Sequence, residues 1–223
     1  MAEGRVNIVT GAFGFTGACI TRRLLDMGEQ VRTLTGHPER PNQFGDTVQA
    51  LPFNFDNPAQ LAENLRGASV LYNTYWIRFE HNGTTFAKAV ENTRTLIKAA
   101  EDAGVERIVH VSITNPSKDS PLPYFRGKAE IEDAIRASKL SYAILRPAVL
   151  FGDQGILINN IAWFLRRLPV FAVPGSGEYE LQPIYVEDLA DLAVEQGHKT
   201  DDAVIDAIGP ETFRFYDLVQ HIK

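Results

Sequence analysis

Cysteine is almost missing from this chain of 223 residues, and its single copy, Cys19, has no partner for an intrachain disulfide. The histidines show no spacing typical of metal ligands. No apolar run reaches membrane-spanning length, and no repeat or low-complexity linker interrupts the chain. A disulfide-stapled scaffold, a cysteine-based metal centre and insertion into a membrane are therefore not expected.

Positive charge is also scarce. Lys and Arg total 22 against 28 Asp and Glu, and the net charge of −6 gives no electrostatic reason to expect nucleic acid as a partner. The segment from Met1 to Arg5 is short and polar without a signal-peptide pattern, so the expected location is the cytoplasm. Import into an organelle is the alternative, if a presequence was trimmed. An apolar share of 44% is ordinary for a globular protein, and the length suits one α/β unit with a sizeable core.

What the sequence does contain is a regular alternation of strand and helix patterns. Short apolar strands are predicted at residues 6–10, 31–35, 48–55, 69–75, 107–113 and 141–149. Amphipathic helices are predicted between them, beginning near residues 17, 57, 85 and 124. This order predicts a Rossmann-type α/β fold, a doubly wound parallel sheet with helices on both faces, and residues 1–152 form its predicted core.

The alternation loosens after residue 152. The elements predicted there are a helix at 156–168, a Pro- and Gly-rich loop at 169–177, a strand at 182–186, a helix at 187–196, a strand at 203–208 and a helix from 215. We expect segment 182–208 to return to the core. Segments 153–181 and 209–223 are expected to form a small carboxyl-terminal substrate-binding portion.

The most specific motif is a glycine-rich turn, TGAFGFTG, at residues 10–17, directly after the first strand and at the start of the first helix. Gly11 allows a tight turn, Gly14 lets the backbone approach a diphosphate, and Gly17 lets the helix pack close to the strand. The helix amino terminus then offers unpaired N–H groups and a partial positive charge to the phosphates. An ordinary strand–helix turn is the alternative, but strand, spacing and helix together favour a dinucleotide.

The end of the second strand bears on which dinucleotide is bound. Thr35, Gly36 and His37 include no acid for a ribose 2′-hydroxyl, and the nearest acid, Glu39, is followed by Arg40. Without that acid a 2′-phosphate meets no repulsion, and His37 and Arg40 are candidate donors to it. The sequence therefore favours NADP slightly over NAD, unless both side chains are only solvated loop residues.

The glycine spacing resembles that of the extended and atypical short-chain dehydrogenase/reductases, which include NAD-dependent epimerase/dehydratase-like proteins. Three other segments agree with this resemblance: FD at 55–56, RPAVLFG at 146–152 and QPIYVEDLA at 182–190. Segments 162–169 and 173–177 are similar to the group that contains the NADPH-binding accessory subunit of respiratory complex I and the NmrA-like proteins. The resemblance covers nearly the whole chain.

The resemblance implies that residues 1–152 bind NAD(P), and it adds contacts to those of the turn. Phe55 and Asp56 correspond to the adenine side, and Pro147 and Val149 to the loop beside the nicotinamide. The end of the fourth strand and a helix asparagine are expected to line or support the site. The predicted cofactor contacts are Gly11, Ala12, Phe13, Gly14, Phe15, Thr16, Gly17, Thr35, His37, Arg40, Phe55, Asp56, Asn73, Thr74, Tyr75, Asn92, Ser112, Pro147 and Val149.

A candidate catalytic pair is Tyr124 and Lys128, which a helix places on one face. A phenol has a pKa of about 10, and a neighbouring ammonium lowers it by favouring the phenolate. Tyr124 is then expected to exchange a proton with the substrate while Lys128 holds the nicotinamide ribose. In the family pattern a hydroxyl residue near the end of the fifth strand positions the carbonyl, and Thr114 is the best match, with Ser112 as the alternative. Pro123 leaves open whether Tyr124 lies in the helix or just before it.

These residues predict an NAD(P)-dependent oxidoreductase, or an epimerase that oxidises transiently, acting on a small or moderately hydrophobic carbonyl or alcohol. The alternative is a sensor or assembly protein that binds NADP(H) without turnover. A third hypothesis is a ligand-binding module with an empty cleft. The predicted partners are a small-molecule substrate and, because dimers are common in the family, a second copy of the chain.

Overall fold

The computed structural model describes residues 5–81, 83–173 and 175–222. Its strands are β1 (Val6–Thr10), β2 (Gln30–Thr35), β3 (Gln49–Pro52), β4 (Val70–Asn73), β5 (Arg107–Val111), β6 (Ser141–Pro147), β7 (Leu150–Phe151), β8 (Glu180–Leu181), β9 (Ile184–Tyr185), β10 (Ala203–Ala207) and β11 (Phe213–Arg214). Its α-helices are α1 (Phe15–Asp26), α2 (Pro58–Leu65), α3 (Phe86–Ala103), α4 (Pro123–Arg136), α5 (Ile156–Arg167), α6 (Val186–Gly197) and α7 (Phe215–Ile222).

Seven parallel strands form the central sheet, in the order β10-β6-β5-β4-β1-β2-β3. The chain moves outward from β1 through β2 to β3, then returns to β4 on the other side of β1 and moves outward again. The strand order therefore reverses between β1 and β4, which is where a ligand crevice opens beyond the carboxyl ends of a doubly wound sheet. The predicted Rossmann-type fold class is confirmed.

Helices cover both faces of this sheet, because its central strands are apolar on both sides. Helices α1 and α6 pack together on one face over a cluster that includes Ile20, Leu24 and Leu189. Helices α2, α3 and α4 cover the opposite face over a second cluster, which includes Leu96 and Ile131. Successive residues of each strand alternate between these two clusters, so the sheet lies in the middle of the core.

Several helices begin or end at capping residues that are recognisable in the sequence. The side chain of Asn57 accepts a hydrogen bond from the Gln60 N–H (3.2 Å) at the start of α2. The Thr85 hydroxyl accepts one from the Lys88 N–H (3.1 Å) at the start of α3. Gly104 ends α3 in the left-handed conformation, with φ of 78°. These caps fix where α3 begins and ends relative to the sheet.

Several predicted strands are shorter in the structure. The third, predicted at 48–55, runs only from Gln49 to Pro52, because it is an edge strand and Asn54 takes a positive φ of 48° that turns the chain away. The strand predicted at 182–186 pairs only over Ile184–Tyr185, against β7 rather than in the main sheet. Two-residue pairings of this kind depend on distant segments and leave little periodicity in the sequence.

The carboxyl-terminal part divides between the main sheet and a small separate cluster. Strand β10 pairs with β6 at the edge of the sheet, and α6 packs beside α1. Helices α5 and α7 instead bury Ile161, Phe215 and Val219 against one another, and β8 pairs with β11 beside them. Pro174, within the predicted 169–177 loop, and Lys223, at the end of the last predicted helix, lie outside the described residues. None of the described helices combines the length and apolarity needed to cross a bilayer.

The packing of α6 on β4 leads to a first prediction. A Cβ added at Gly197 would lie 1.9 Å from the hydroxyl of Tyr72, a residue only 1% exposed. We expect Gly197→Ala to lower the free energy of unfolding by about 1–3 kcal/mol, measured by urea denaturation, because the buried ring must shift. In a Tyr72→Phe background the cost should fall, since the nearest clashing atom is gone. The control is Gly36→Ala, whose Cβ meets no atom within 4 Å, and an equal cost at both glycines would contradict the prediction.

Candidate functional site

The glycine-rich turn is held tightly against the second strand. Gly11 takes a positive φ of 67°, and its N–H donates to the Leu34 carbonyl (2.9 Å). The Gly11 carbonyl accepts from the Gly14 N–H (2.9 Å), which closes the turn. The Ala12 N–H donates to the hydroxyl of Thr33 (3.1 Å). The turn is therefore fixed by backbone bonds, and its path is set before any ligand arrives.

The start of α1 leaves space where a diphosphate would lie. A Cβ on Gly17 would sit 2.2 Å from the Gly11 carbonyl oxygen, so only glycine allows this approach of helix to strand. Gly14 precedes the helix, and no described side chain caps it. The first amides of α1 are thus open to an anion, which the helix dipole also favours. This close-packed, uncapped turn fits the phosphates of a dinucleotide.

The aromatic residues of the turn pack to its sides. The Phe13 ring lies against Phe44, with centroids 6.5 Å apart. The Phe15 ring lies beside Gly152, at 3.5 Å from the position of an added Cβ. Thr16 and Phe15 also line a cavity at this edge of the sheet, described below. Both rings are therefore directed towards protein neighbours.

The carboxyl ends of β1 and β4 are joined by the hydroxyl of Thr10. It donates to Asn73 Oδ1 (3.1 Å) and accepts from the N–H groups of Thr74 (2.7 Å) and Tyr75 (3.0 Å). The Thr74 hydroxyl in turn donates to the Thr10 carbonyl (2.5 Å). Asn73 is completely buried, with its Nδ2 3.0 Å from His110 Nδ1. Asn73 therefore holds the strand ends, while Thr74 faces the cavity.

An aromatic cluster follows β3 and β4. Phe55 stacks on Phe53 at 4.8 Å, and the Tyr75 ring lies 5.1 Å from Phe55. Asn92, which the sequence marks as a supporting residue, donates to the Tyr75 hydroxyl (2.9 Å) from α3. Asp56 is exposed beside this cluster. The predicted adenine-side residues thus lie together, with Asn92 acting through Tyr75.

The end of β2 is open to solvent. Thr35 is half-buried and its hydroxyl accepts from the His37 N–H (3.2 Å), while His37 and Arg40 are exposed. Residues 36–40 line a shallow cavity of about 570 Å³. The two candidate donors to a 2′-phosphate therefore border one depression and have room to turn towards a ligand.

A cavity of about 440 Å³ opens beyond the carboxyl ends of the central strands. It brings together residues from the turn, the segment after β4, the end of β5, α4, the segment after β6 and the first turn of α5. The predicted residues that line it are Phe15, Thr16, Thr74, Ser112, Tyr124, Lys128, Pro147 and Val149. Trp76, Arg78 and Phe79 also line it, and no motif of the sequence marks Arg78 or Phe79 as site residues.

Tyr124 and Lys128 both lie in α4, because the helix already begins at Pro123. Their side chains contact different neighbours. The Tyr124 ring packs edge-on against Trp76, with centroids 5.9 Å apart. The Lys128 ammonium donates to the Val111 carbonyl (2.8 Å) and lies 4.8 Å from the centroid of the Trp76 ring. The helix thus brings both groups to one cavity, with Lys128 reaching deeper towards β5.

The electrostatics of this pair differ from the sequence expectation. Burial raises the pKa of Tyr124, and only the charge of Arg78 opposes this. Burial also lowers the pKa of Lys128 to about 7, against the attraction of Glu132. The expected lowering of the tyrosine pKa by the lysine is absent, since the ammonium is turned to a backbone carbonyl and is itself destabilised by desolvation.

The two hydroxyl candidates after β5 face different spaces. Ser112 lines the cavity with Tyr124 and Lys128. Thr114 instead lines a neighbouring cavity of about 480 Å³, and its N–H donates to the Pro147 carbonyl (3.0 Å). The chain runs alongside the end of β6 there, which carries Thr114 past the Tyr124 side. Of the two, Ser112 is the one that the structure places with the pair.

A buried carboxylate that the sequence did not single out fixes α4 to the sheet. Glu132 is 1% exposed and accepts hydrogen bonds from Ser112 Oγ (2.6 Å) and from Arg146 Nε and Nη2 (3.0 and 2.6 Å). Arg136 adds a further bond (2.9 Å). Burial by itself raises the pKa of Glu132, but the bonds from Arg146 and Ser112 outweigh it and hold the pKa below its ordinary value. The sequence feature that could have indicated this residue is a Glu one helical turn after Lys128.

The fold and this crevice together define a dinucleotide-binding protein of the Rossmann type. The family model described as NAD(P)H-binding matches residues 11–161, more than half of the chain. The chain belongs to that NAD(P)H-binding family, and the predicted NAD(P) cofactor and the resemblance to extended short-chain dehydrogenase/reductases are confirmed.

Two curated relatives show what kinds of protein share this sequence. The mitochondrial NADH dehydrogenase [ubiquinone] 1 alpha subcomplex subunit 9 of Arabidopsis thaliana is 28% identical over 98% of this chain and 57% of its own length. The photosystem II assembly factor Ycf39 of Cyanophora paradoxa is 28% identical over 67% of this chain and 46% of its own length. The chain therefore spans about half to three-fifths of the length of these relatives.

A solved structure shares the fold closely. MoeE5, in complex with UDP-glucose and NAD, superposes with a TM-score of 0.81 at 23% identity, covering 98% of this chain and 81% of MoeE5. At this identity the likeness shows the fold alone, and it agrees with the parallel seven-stranded sheet described above.

The predicted cytoplasmic location is wrong. Relatives that match 98% or 99% of the chain include mitochondrial proteins of Arabidopsis thaliana, Rattus norvegicus, Mus musculus and Neurospora crassa. The prediction relied on the composition of the first residues, which carries no information on the setting of a protein family.

Within the described residues, no group of three or more His, Cys, Asp or Glu side chains is placed to hold a metal.

The contact between Gly17 and Gly11 yields a second prediction. Gly17→Ala should weaken NADPH binding at least about tenfold, in a titration followed by protein fluorescence, because the added methyl displaces the turn that faces the diphosphate. Met27→Ala, at the exposed far end of α1, is the control and should bind NADPH as the parent does. Unchanged affinity in the Gly17 variant would show that the dinucleotide does not use this turn.

The buried ammonium yields a third prediction. Lys128 has a folded pKa of about 7 against 10.5 for an exposed lysine. Below pH 7 the folded chain must therefore hold an unfavourable charge. Between these two values stability rises with pH, because the unfolded chain keeps a proton there that the folded chain has lost. Lys128→Met should raise the free energy of unfolding by up to about 5 kcal/mol at pH 6 and by much less at pH 10.

The control for this measurement is Lys139→Met, at an exposed lysine just beyond α4. Its effect on stability should stay small and nearly independent of pH. Urea denaturation of the three proteins between pH 6 and pH 10 makes the comparison. A Lys128 variant that is equally destabilised at every pH would show that the ammonium is favourably placed in the fold.

Proposed function

We propose that this protein is an NAD(P)-dependent oxidoreductase that reduces or oxidises a small, moderately hydrophobic carbonyl or alcohol. The observation that carries this proposal is the cavity of about 440 Å³ in which Tyr124, Lys128 and Ser112 converge with Thr16 of the glycine turn. A proton donor, a cation and a hydroxyl group thereby border the space at the end of the dinucleotide crevice.

NAD(P)H, when bound, supplies the hydride, and thus both electrons, for a carbonyl reduction. The residues of the chain do the rest. The glycine turn and the uncapped start of α1 hold the diphosphate, and Lys128 is within the cavity to meet a ribose hydroxyl. Tyr124 gives its hydroxyl proton to the carbonyl oxygen in reduction and takes it back in oxidation. The raised pKa of Tyr124 favours the protonated phenol, which suits the reducing direction.

We propose NADP(H) as the preferred form. His37 and Arg40 border the depression at the end of β2, and Thr35 stands where an acid would select a 2′-hydroxyl. We also propose that segments 153–181 and 209–223 serve the substrate side. Their cluster packs apart from the main core, and its helix α5 sends Ile156 and Leu157 to the cavity.

A second function is favoured by one observation on the pair and by the relatives. Lys128 is bonded to the Val111 carbonyl and not to Tyr124, and the relatives include complex I subunits and a photosystem assembly factor. In this alternative the chain binds NADP(H) as a structural or sensing component and joins protein partners. In a host that has mitochondria, its setting would be mitochondrial. A homodimer stays a prediction.

Tyr124→Phe distinguishes the two functions. We expect kcat/KM for NADPH-dependent reduction, measured over a panel of aliphatic and aromatic aldehydes, to fall about 100-fold or more, because the proton donor is lost. NADPH affinity should stay within about twofold, since the phenyl ring that packs on Trp76 is retained. Tyr216→Phe, at a half-exposed tyrosine on α7, is the matched control and should change neither quantity.

The two proposed functions predict different results in this experiment. Equal activity of the Tyr124→Phe variant and the parent would remove Tyr124 from the mechanism. NADPH binding without reduction of any aldehyde, in a parent protein that co-purifies with protein partners, would favour the structural role.

A further inference from the structure

The cavity that holds Tyr124 has an unusual balance of charge for this chain. The chain as a whole carries a net charge of −6. Among the described residues that line the cavity, the charged ones are Arg78 and Lys128, and no Asp or Glu borders it. A cavity with cations and no carboxylates, in an acidic protein, attracts anionic ligands.

Arg78 is the cation that is free to meet a ligand. It is exposed on the segment that follows β4, and its charge acts on the Tyr124 hydroxyl across the cavity. Within the described parts of the chain no carboxylate forms a salt bridge with it. The nearest acid along the sequence, Glu80, accepts instead from the Phe86 N–H (3.0 Å).

The rest of the wall is apolar. Trp76 and Phe79 come from the same segment as Arg78, and Ile156 and Leu157 come from the start of α5. Phe79 is 80% exposed and Ile156 55% exposed, so the apolar surface lies at the mouth. Exposed apolar side chains around one unpaired guanidinium match a ligand with an apolar body and a single acidic group.

We propose that the substrate of this site is an aromatic or apolar carbonyl compound that also carries a carboxylate or similar acidic group, and that Arg78 binds this group. The inference rests on the proposed oxidoreductase function. In the reduction, the carbonyl carbon takes the hydride and its two electrons from NADPH, and the oxygen takes the proton of Tyr124. The dinucleotide leaves as NADP+, and the acidic group of the substrate is unchanged.

The test compares para-formylbenzoate with its neutral methyl ester, which has the same ring and aldehyde. We expect the parent protein to prefer the carboxylate at least about tenfold in kcat/KM, the range of one charge-assisted hydrogen bond. Arg78→Gln should reduce this preference to about twofold or less. Because the preference is a ratio between two substrates of the same variant, a change that the lost charge causes at the Tyr124 hydroxyl affects both substrates alike. Added salt should also reduce the preference.

A binding measurement makes the test independent of turnover. The chain has two tryptophans, Trp76 and Trp163. In a Trp163→Phe background, quenching of Trp76 by para-formylbenzoate is titrated with saturating NADP+, which allows no reduction. We expect Arg78→Gln to weaken this binding at least about tenfold. Arg94→Gln, at an exposed arginine of α3 outside this cavity, is the control and should bind as the parent does.

The possible results of these experiments distinguish the proposed ligand class from the proposed oxidoreductase function. Arg78-dependent binding of the carboxylate without reduction of either compound would support the ligand class and defeat the oxidoreductase. Reduction with no preference for the carboxylate would overturn the present inference and leave the oxidoreductase standing. A weakened affinity for NADPH itself in Arg78→Gln, with unchanged binding of para-formylbenzoate, would assign Arg78 to the cofactor phosphates and overturn the inference. Absence of binding of para-formylbenzoate to the parent overturns it as well.

Discussion

The contact between Gly17 and the carbonyl of Gly11 is the constraint on which the dinucleotide crevice depends. With no side chain at Gly17, helix α1 lies close enough to β1 that its first amides face the space beyond the sheet. The same turn is bonded to β2 through Leu34 and Thr33, so helix and two strands share one rigid corner. A shift of a few tenths of an ångström here would move every amide that faces the diphosphate.

The opposite wall of the crevice depends on helix α4, and hydrogen-bonded ion pairs help to attach this helix to the sheet. Glu132 accepts hydrogen bonds from Ser112, directly after β5, and from Arg146 of β6, and it lies one helical turn from Lys128. A buried carboxylate is costly unless its bonds are satisfied, and this one is bonded at both oxygens. The segment after β5 that offers Ser112 and the helix that offers Tyr124 are thereby held in one register, in addition to the apolar packing of Ile131 on the sheet.

Most of the fold was accessible from the sequence because its signals are local. Apolar runs, glycines and capping residues such as Thr85 and Asn57 define the main strands and helices within a few residues of where they lie. The pairing of β7 with β9 was not accessible, since two residues carry no periodicity and the pairing joins segments about thirty residues apart. The fold class therefore follows from patterns, whereas the small pairings follow from tertiary packing.

The same division applies to the site. The glycine turn and the Tyr124–Lys128 spacing are local patterns, and the structure brings both to one edge of the sheet. Whether Ser112 or Thr114 joins them depends on how the chain leaves β5, which no spacing encodes. Arg78 and Trp76 lie beyond a strand end in a segment without regular structure. Their role as neighbours of Tyr124 is a property of the folded chain alone.

The low pKa of Lys128 connects these features. Its ammonium is buried beside Trp76 and, among the described residues, donates to the Val111 carbonyl, and burial lowers its pKa to about 7. An anion that enters the cavity would favour the charged form, because a nearby negative charge offsets part of the desolvation. Ligand binding and proton uptake at Lys128 are then expected to be linked. A cation kept partly neutral in this way costs the fold less than a permanently charged one, while the exposed Arg78 supplies the charge that first attracts the ligand.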